Sequence, residues 1–96
     1  MITLNRLARK CRETALRRHK ITVHSSHRGL AIGISAEWRE RMDAADRPSP
    51  HIGGWSEREE EAADIIISAV TYLECIGCRD IEQLIKDKVA YNERME

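Results

Sequence analysis

A chain of 96 residues bounds the answer to one domain with a small core, and its 42% hydrophobic and 33% charged residues exclude global disorder. No segment approaches the roughly 18 consecutive apolar residues of a membrane span, and the N-terminus lacks the apolar run of a signal peptide, so a cytoplasmic protein without a membrane partner is expected. Three cysteines, Cys11, Cys75 and Cys78, are an odd number with only two close together, which argues for reduced thiols and against a disulfide framework.

With no Phe and only two Trp and two Tyr, the core must be built from Ile, Leu, Val and Ala, a mix that suits helices packed on helices. Leu4, Leu7, Ala8, Cys11 and Ala15 follow the i, i+3, i+4, i+7 spacing of one helical face and predict a first helix over about residues 3–19. The formal net charge is zero, yet residues 1–28 hold eight Lys or Arg against one acid, leaving eight basic and fifteen acidic residues for the remainder. Such asymmetry fits a basic helix lying across an acidic site, with nucleic-acid contact as the rival reading. Arg6, Arg9, Lys10, Arg12, Arg17, Arg18 and Lys20 spread around much of the helix, which favours a solvated surface or phosphate steering over a nucleic-acid face.

Thr22 to His27 break the pattern and read as a loop. Leu30, Ile34, Trp38 and Met42 recur at i+4 and predict a second helix over about 29–45, weakened at its start by Gly29 and Gly33. Asp46 to Trp55 holds both prolines and the Gly53-Gly54 pair, the composition of a loop. Ser56-Glu57-Arg58-Glu59 has the form of a capping box, and Gly77 is placed to end the same helix in a left-handed cap, so a third helix is expected over about 56–76. Asp80 followed by Gln83 starts a fourth, to about 94, with the stripe Ile81, Leu84, Ile85, Val89. The expected fold is all-α, a chain of four-helix-bundle type forming one domain over residues 1–96. Its third helix is apolar nearly all round, and a chain this short cannot easily cover it alone, so a dimer or tetramer packing through that helix is expected.

Glu61 and Asp64 are three apart and project from one side of the third helix, at the mouth of its most apolar stretch. Glu37 and Glu40 repeat that spacing on the second helix, flanking Trp38. Four carboxylates converging in a partly buried place repel one another, because each unpaired buried charge costs several kcal/mol. A hard cation relieves this. Hard oxygen ligands suit Mg²⁺, Mn²⁺ or Ca²⁺, and Mg²⁺ typically binds through a few carboxylates, waters and substrate phosphates, whereas a di-iron bundle would need a histidine three residues after a glutamate. Lys88 and Asn92 fall on or beside the apolar face of the fourth helix, a cation and an amide suited to a phosphate group.

These residues resemble the MazG-like family of all-α nucleoside triphosphate pyrophosphohydrolases, whose pattern is E-E-x-x-E on one helix, E-x-x-D on the next and a late K-x-x-x-N. The sequence reads Ala36-Glu37-Trp38-Arg39-Glu40, then Glu61-Ala62-Ala63-Asp64, then Lys88-Val89-Ala90-Tyr91-Asn92, over residues from about 30 to 94. Ala36 stands where the family has the first glutamate of the pair. The resemblance implies metal ligation by Glu37, Glu40, Glu61 and Asp64, with Glu37 or Glu40 as catalytic general base. It also implies phosphate contacts from Lys88 and Asn92, and hydrolysis of a (d)NTP to the monophosphate and pyrophosphate by a homo-oligomer. The alternative is a non-catalytic nucleotide- or nucleic-acid-binding module that uses the basic first helix.

Other residues carry weaker signals. Cys75 and Cys78 look like half a zinc site that His24 and His27 would complete, but the intervening distance is far longer than in compact zinc modules, so buried or semi-buried thiols are expected instead. His24 and His27 read as loop residues, Trp38 as core, and Trp55 as the hydrophobic residue of a helix staple.

Overall fold

Thr3 is extended, and its side-chain hydroxyl accepts the Arg6 amide at 3.2 Å, which starts helix α1, Leu4–Arg17. The helix ends where His19 takes φ +59°: the His19 amide donates to Leu16 and the Lys20 amide to Ala15, the paired bonds of a Schellman cap built without glycine. Helix α2, Glu57–Cys75, begins with the expected capping box, in which the Ser56 hydroxyl accepts the Glu59 amide and the Glu59 carboxylate accepts the Ser56 amide, both at 3.1 Å. It ends at Gly77, φ +81°, with the same two bonds, Gly77 to Glu74 and Cys78 to Leu73. Helix α3, Ile81–Arg94, starts at Asp80, whose carboxylate accepts the Gln83 amide at 3.1 Å.

The computed structural model describes residues 3–22, 28–30 and 46–95. Within them α1, α2 and α3 are the first, third and fourth helices predicted from the sequence, and their ends agree to within two residues. The only β feature among the described residues is an isolated bridge between Pro48 and Ser56, so the architecture is all-α. Residues 28–30 are helical, where the second helix is predicted to begin. The rest of that predicted helix, with Ala36, Glu37, Trp38 and Glu40, lies outside the described residues, as do His24 and His27.

The core is small. Ala8, Val70 and Ile81 are buried together, and Leu4, Cys11, Leu73 and Cys78 pack against them. Residues 76–80 carry the chain from the end of α2 to the start of α3, and Asn5 near the start of α1 bonds to Ile81, so α1 begins where α2 ends. Since α1 packs along α2, the two run antiparallel. This sets the basic C-terminal end of α1 toward the acidic first turn of α2, Glu57, Glu59 and Glu60, and each end carries the charge its helix dipole favours. Thr71, the buried polar side chain of α2, donates to the Ile67 carbonyl at 2.7 Å, so its burial is compensated.

Two expectations need correction. The stripe of the fourth predicted helix buries only its first member: Ile81 is 2% exposed, whereas Leu84, Ile85 and Val89 are exposed on α3, whose described hydrogen bonds to α1 are made at Asp80, Ile81 and Glu82. Trp55 is not a staple. It is 57% exposed, and the position it would have to pack against, four residues into α2, is occupied by Glu60. Within the single chain Ile66 of α2 is 60% exposed, the apolar surface expected of a helix this short a chain cannot cover alone.

Candidate functional site: the α1–α2 cleft

Beside the packing seam, α1 and α2 leave a cleft of about 530 Å³. Its walls follow from helical periodicity. From α1 and its C-cap come Leu7, Lys10, Cys11, Thr14 and Arg18, spaced at i, i+3, i+4, i+7 and i+11; from α2 come Asp64, Ile67, Ser68 and Tyr72, spaced at i, i+3, i+4 and i+8. Because the helices are antiparallel, Asp64 belongs to the end where Arg18 and Lys20 stand, and Tyr72 to the end where Leu7 stands. Leu7, Cys11 and Ile67 give an apolar stretch, with the hydroxyls of Thr14 and Ser68 beside it. Burial pushes the Cys11 thiol pKa upward, so this sulfur stays protonated and behaves as a small apolar group.

The sequence-predicted site residues fall into three groups. Asp64 lines the cleft, and Glu61, one turn earlier on α2, is half-buried as Asp64 is. Lys88 and Asn92 are exposed on α3 and are not among the cleft-lining residues; the Lys88 ammonium instead sits 4.5 Å above the centre of the Tyr91 ring. Glu37 and Glu40 lie outside the described residues. Among the described residues no three or more His, Cys, Asp or Glu side chains gather as a metal group. Glu61 and Asp64 nevertheless fit Mg²⁺, which commonly takes one or two carboxylates from a protein and completes its shell with water and phosphate oxygens. All three cysteines are half-buried free thiols, as expected.

Lys10, Arg18 and Lys20 also line the cleft, and nothing in composition separates them from the other cations of the first segment. The available signal was positional: Lys10, Thr14 and Arg18 are spaced at i, i+4 and i+8, on the face that carries Leu7 and Cys11.

A second polar constellation joins the loop before α2 to its first turn. The Ser49 hydroxyl donates to Glu60 Oε1 at 2.5 Å and accepts the amides of His51 and Ile52, both at 3.1 Å, while His51 Nδ1 lies 2.8 Å from Glu60 Oε2. Ser49 and His51 together hold the Glu60 carboxyl below the usual range, the Ser49 hydrogen bond contributing most. Arg47 adds an ion pair to Glu57 at 2.6 Å. The Ser49 hydroxyl donates to a carboxylate whose lowered pKa makes it a weak base, and His51 bonds to that carboxylate and not to Ser49, so the arrangement is a clasp and not a nucleophilic triad.

No helix among the described residues is long and apolar enough to cross a membrane. No protein-family model, curated protein or solved structure matches the chain.

Proposed function

We propose that the chain is a metal-dependent nucleoside triphosphate pyrophosphohydrolase of the MazG-like kind and that the α1–α2 cleft is its substrate site. The observation that carries this reading is the placement of Asp64, half of an E-x-x-D pair, in a cleft whose other wall presents cations. Glu61 and Asp64 would hold Mg²⁺ or Mn²⁺, joined by Glu37 and Glu40 as the resemblance implies; the same resemblance gives phosphate contact to Lys88 and Asn92, which are not among the described residues lining the cleft. When bound, the metal supplies charge neutralisation at the phosphates and a more acidic attacking water. The chain's own part is to orient the triphosphate along the cleft and to take the proton of that water on a carboxylate, Glu37 or Glu40. The apolar stretch of Leu7, Cys11 and Ile67 is suited to a base or sugar, and the volume falls within the roughly 300–1,000 Å³ of small-molecule sites.

A second copy of the chain is the proposed cover for the apolar surface left on α2 and α3, where Ile66, Leu84, Ile85 and Val89 are exposed. The free thiols suit a reducing, cytoplasmic setting.

The test is a panel of dNTPs and NTPs incubated with Mg²⁺ or with EDTA, with products identified. Monophosphate and pyrophosphate should form only with metal, and Glu61→Gln and Asp64→Asn should each lower turnover by about 10²-fold or more. Turnover unaffected by either substitution would refute the site. The rival reading, a non-catalytic nucleic-acid-binding module, is supported by the exposure of Arg6, Arg9 and Arg17 on α1. It requires affinity for nucleic acid that falls steeply with salt, and no metal-dependent turnover.

A further inference from the structure

We propose that Lys10, Arg18 and Lys20 form the phosphate clamp of the cleft, a role the family pattern assigns to Lys88 and Asn92. Three observations carry it. The two α3 residues do not line the cleft, and the three α1-side cations do. Among the described residues none of the three cations forms an ion pair. Lys20 also reaches the cleft for a definite reason: the left-handed His19 reverses the chain after α1, and the Lys20 amide is tied back to the Ala15 carbonyl at 2.9 Å.

The charge pattern selects the ligand class. Against the three cations the described lining sets one carboxylate, Asp64, at the end where Arg18 and Lys20 stand. A ligand carrying several negative charges and an apolar body fits this described lining. Arg18 can bind two phosphate oxygens in parallel, whereas Lys10 and Lys20 act as point charges on long, unbranched stems. A polyphosphate chain held between these cations and an Asp64-bound divalent cation would be gripped from both sides. This assignment rests on the reading of the cleft as a nucleotide site, but its test does not require turnover.

The probe is inorganic pyrophosphate with Mg²⁺, titrated calorimetrically into the full chain. The Arg18→Ala/Lys20→Ala double variant is compared with Arg9→Ala, which removes a charge from the opposite face of α1, and with Lys10→Ala. All four residues are exposed, and circular dichroism checks that each variant stays folded. Each cleft cation removed should weaken binding by roughly tenfold, the scale of a charge-assisted hydrogen bond, and Arg9→Ala by less than about twofold. Equal losses from the cleft and Arg9 variants, or no pyrophosphate binding by the wild type, would overturn the clamp. Binding that follows the predicted order in a protein that hydrolyses no triphosphate would support the clamp and defeat the enzymatic reading, so the two fail separately.

Discussion

The Leu4 amide donates to the Glu82 carboxylate at 2.5 Å, so the first residue of α1 is capped by the second residue of α3, 78 positions away. The exchange is reciprocal. Asn5 Oδ1 accepts the Ile81 and Glu82 amides at 2.8 and 3.2 Å, and Asn5 Nδ2 donates to Asp80 at 2.9 Å. Two helix N-termini, each a partial positive charge, thus meet with the carboxylates of Asp80 and Glu82 between them.

Asn5→Ala removes three hydrogen bonds at this junction and leaves the Ile81 and Glu82 amides without their cap. We expect a loss of about 2 kcal/mol, the sum of a missing cap and a partly desolvated donor. Urea unfolding followed by far-UV circular dichroism measures it. A change within about 0.5 kcal/mol would mean that water replaces Asn5 without cost.

Acid should weaken the fold through two carboxyls. Asp80 is held below the usual range, first by the Asn5 hydrogen bond and then by the Gln83 amide, and Glu60 by Ser49 and then His51. A depressed folded-state pKa contributes stability that is fully present above the unfolded value near about 4 and is lost as pH falls through the lower folded value. The urea midpoint should therefore be level near neutrality and fall below about pH 4. Asp80→Asn, which keeps an N-cap oxygen, should fall less steeply; parallel curves would remove Asp80 from the account. Glu60→Gln should act locally by loosening the clasp, read as faster hydrogen exchange at the His51 and Ile52 amides, which donate to Ser49. Unchanged exchange at these amides would show that the loop is held by its backbone bonds alone.

What was legible in the sequence was local. Ser56 with Glu59, Asp80 with Gln83 and Gly77 each define a helix end through partners within a few residues, and each is found in that role. The Asn5 cap was illegible because its partners are 76 and 77 positions away, and the Ser49–Glu60–His51 clasp because it depends on how a loop folds back. Periodicity told which α3 residues share a face but not whether anything covers it, and so Leu84, Ile85 and Val89 are exposed. Trp55 supplies only one half of a staple, and the position of the other half holds Glu60. At the site, the spacing of Glu61 and Asp64 was readable, while the cations facing Asp64 required the antiparallel pairing of α1 with α2.

The two Schellman caps offer a matched pair of opposite predictions. His19 holds φ +59° with a β-carbon, which costs roughly 1 kcal/mol relative to glycine, so His19→Gly should stabilise the protein by about 0.5–1 kcal/mol. Gly77 holds φ +81° with nothing within 4 Å of where a β-carbon would stand, so Gly77→Ala should destabilise by about 1 kcal/mol through the backbone alone. Equilibrium unfolding of both variants checks the signs, and a loss of stability in His19→Gly would show that the imidazole itself contributes at that turn.

Burial along α3 makes the last prediction, and it separates the monomer from an assembly. Ile81 is 2% exposed and packed with Ala8 and Val70, so Ile81→Ala should cost about 2–5 kcal/mol at any protein concentration. Ile85 is 42% exposed, and Ile85→Ala in the isolated chain should cost less than about 1 kcal/mol. If a second copy covers this face, the Ile85→Ala cost rises with protein concentration while the Ile81→Ala cost does not, because only the former removes contacts formed on association. Unfolding of both variants at low and high concentration, alongside sedimentation, reads the difference. An Ile85→Ala cost that stays small across the range would leave the α3 face in water and confine any association to the exposed isoleucines of α2.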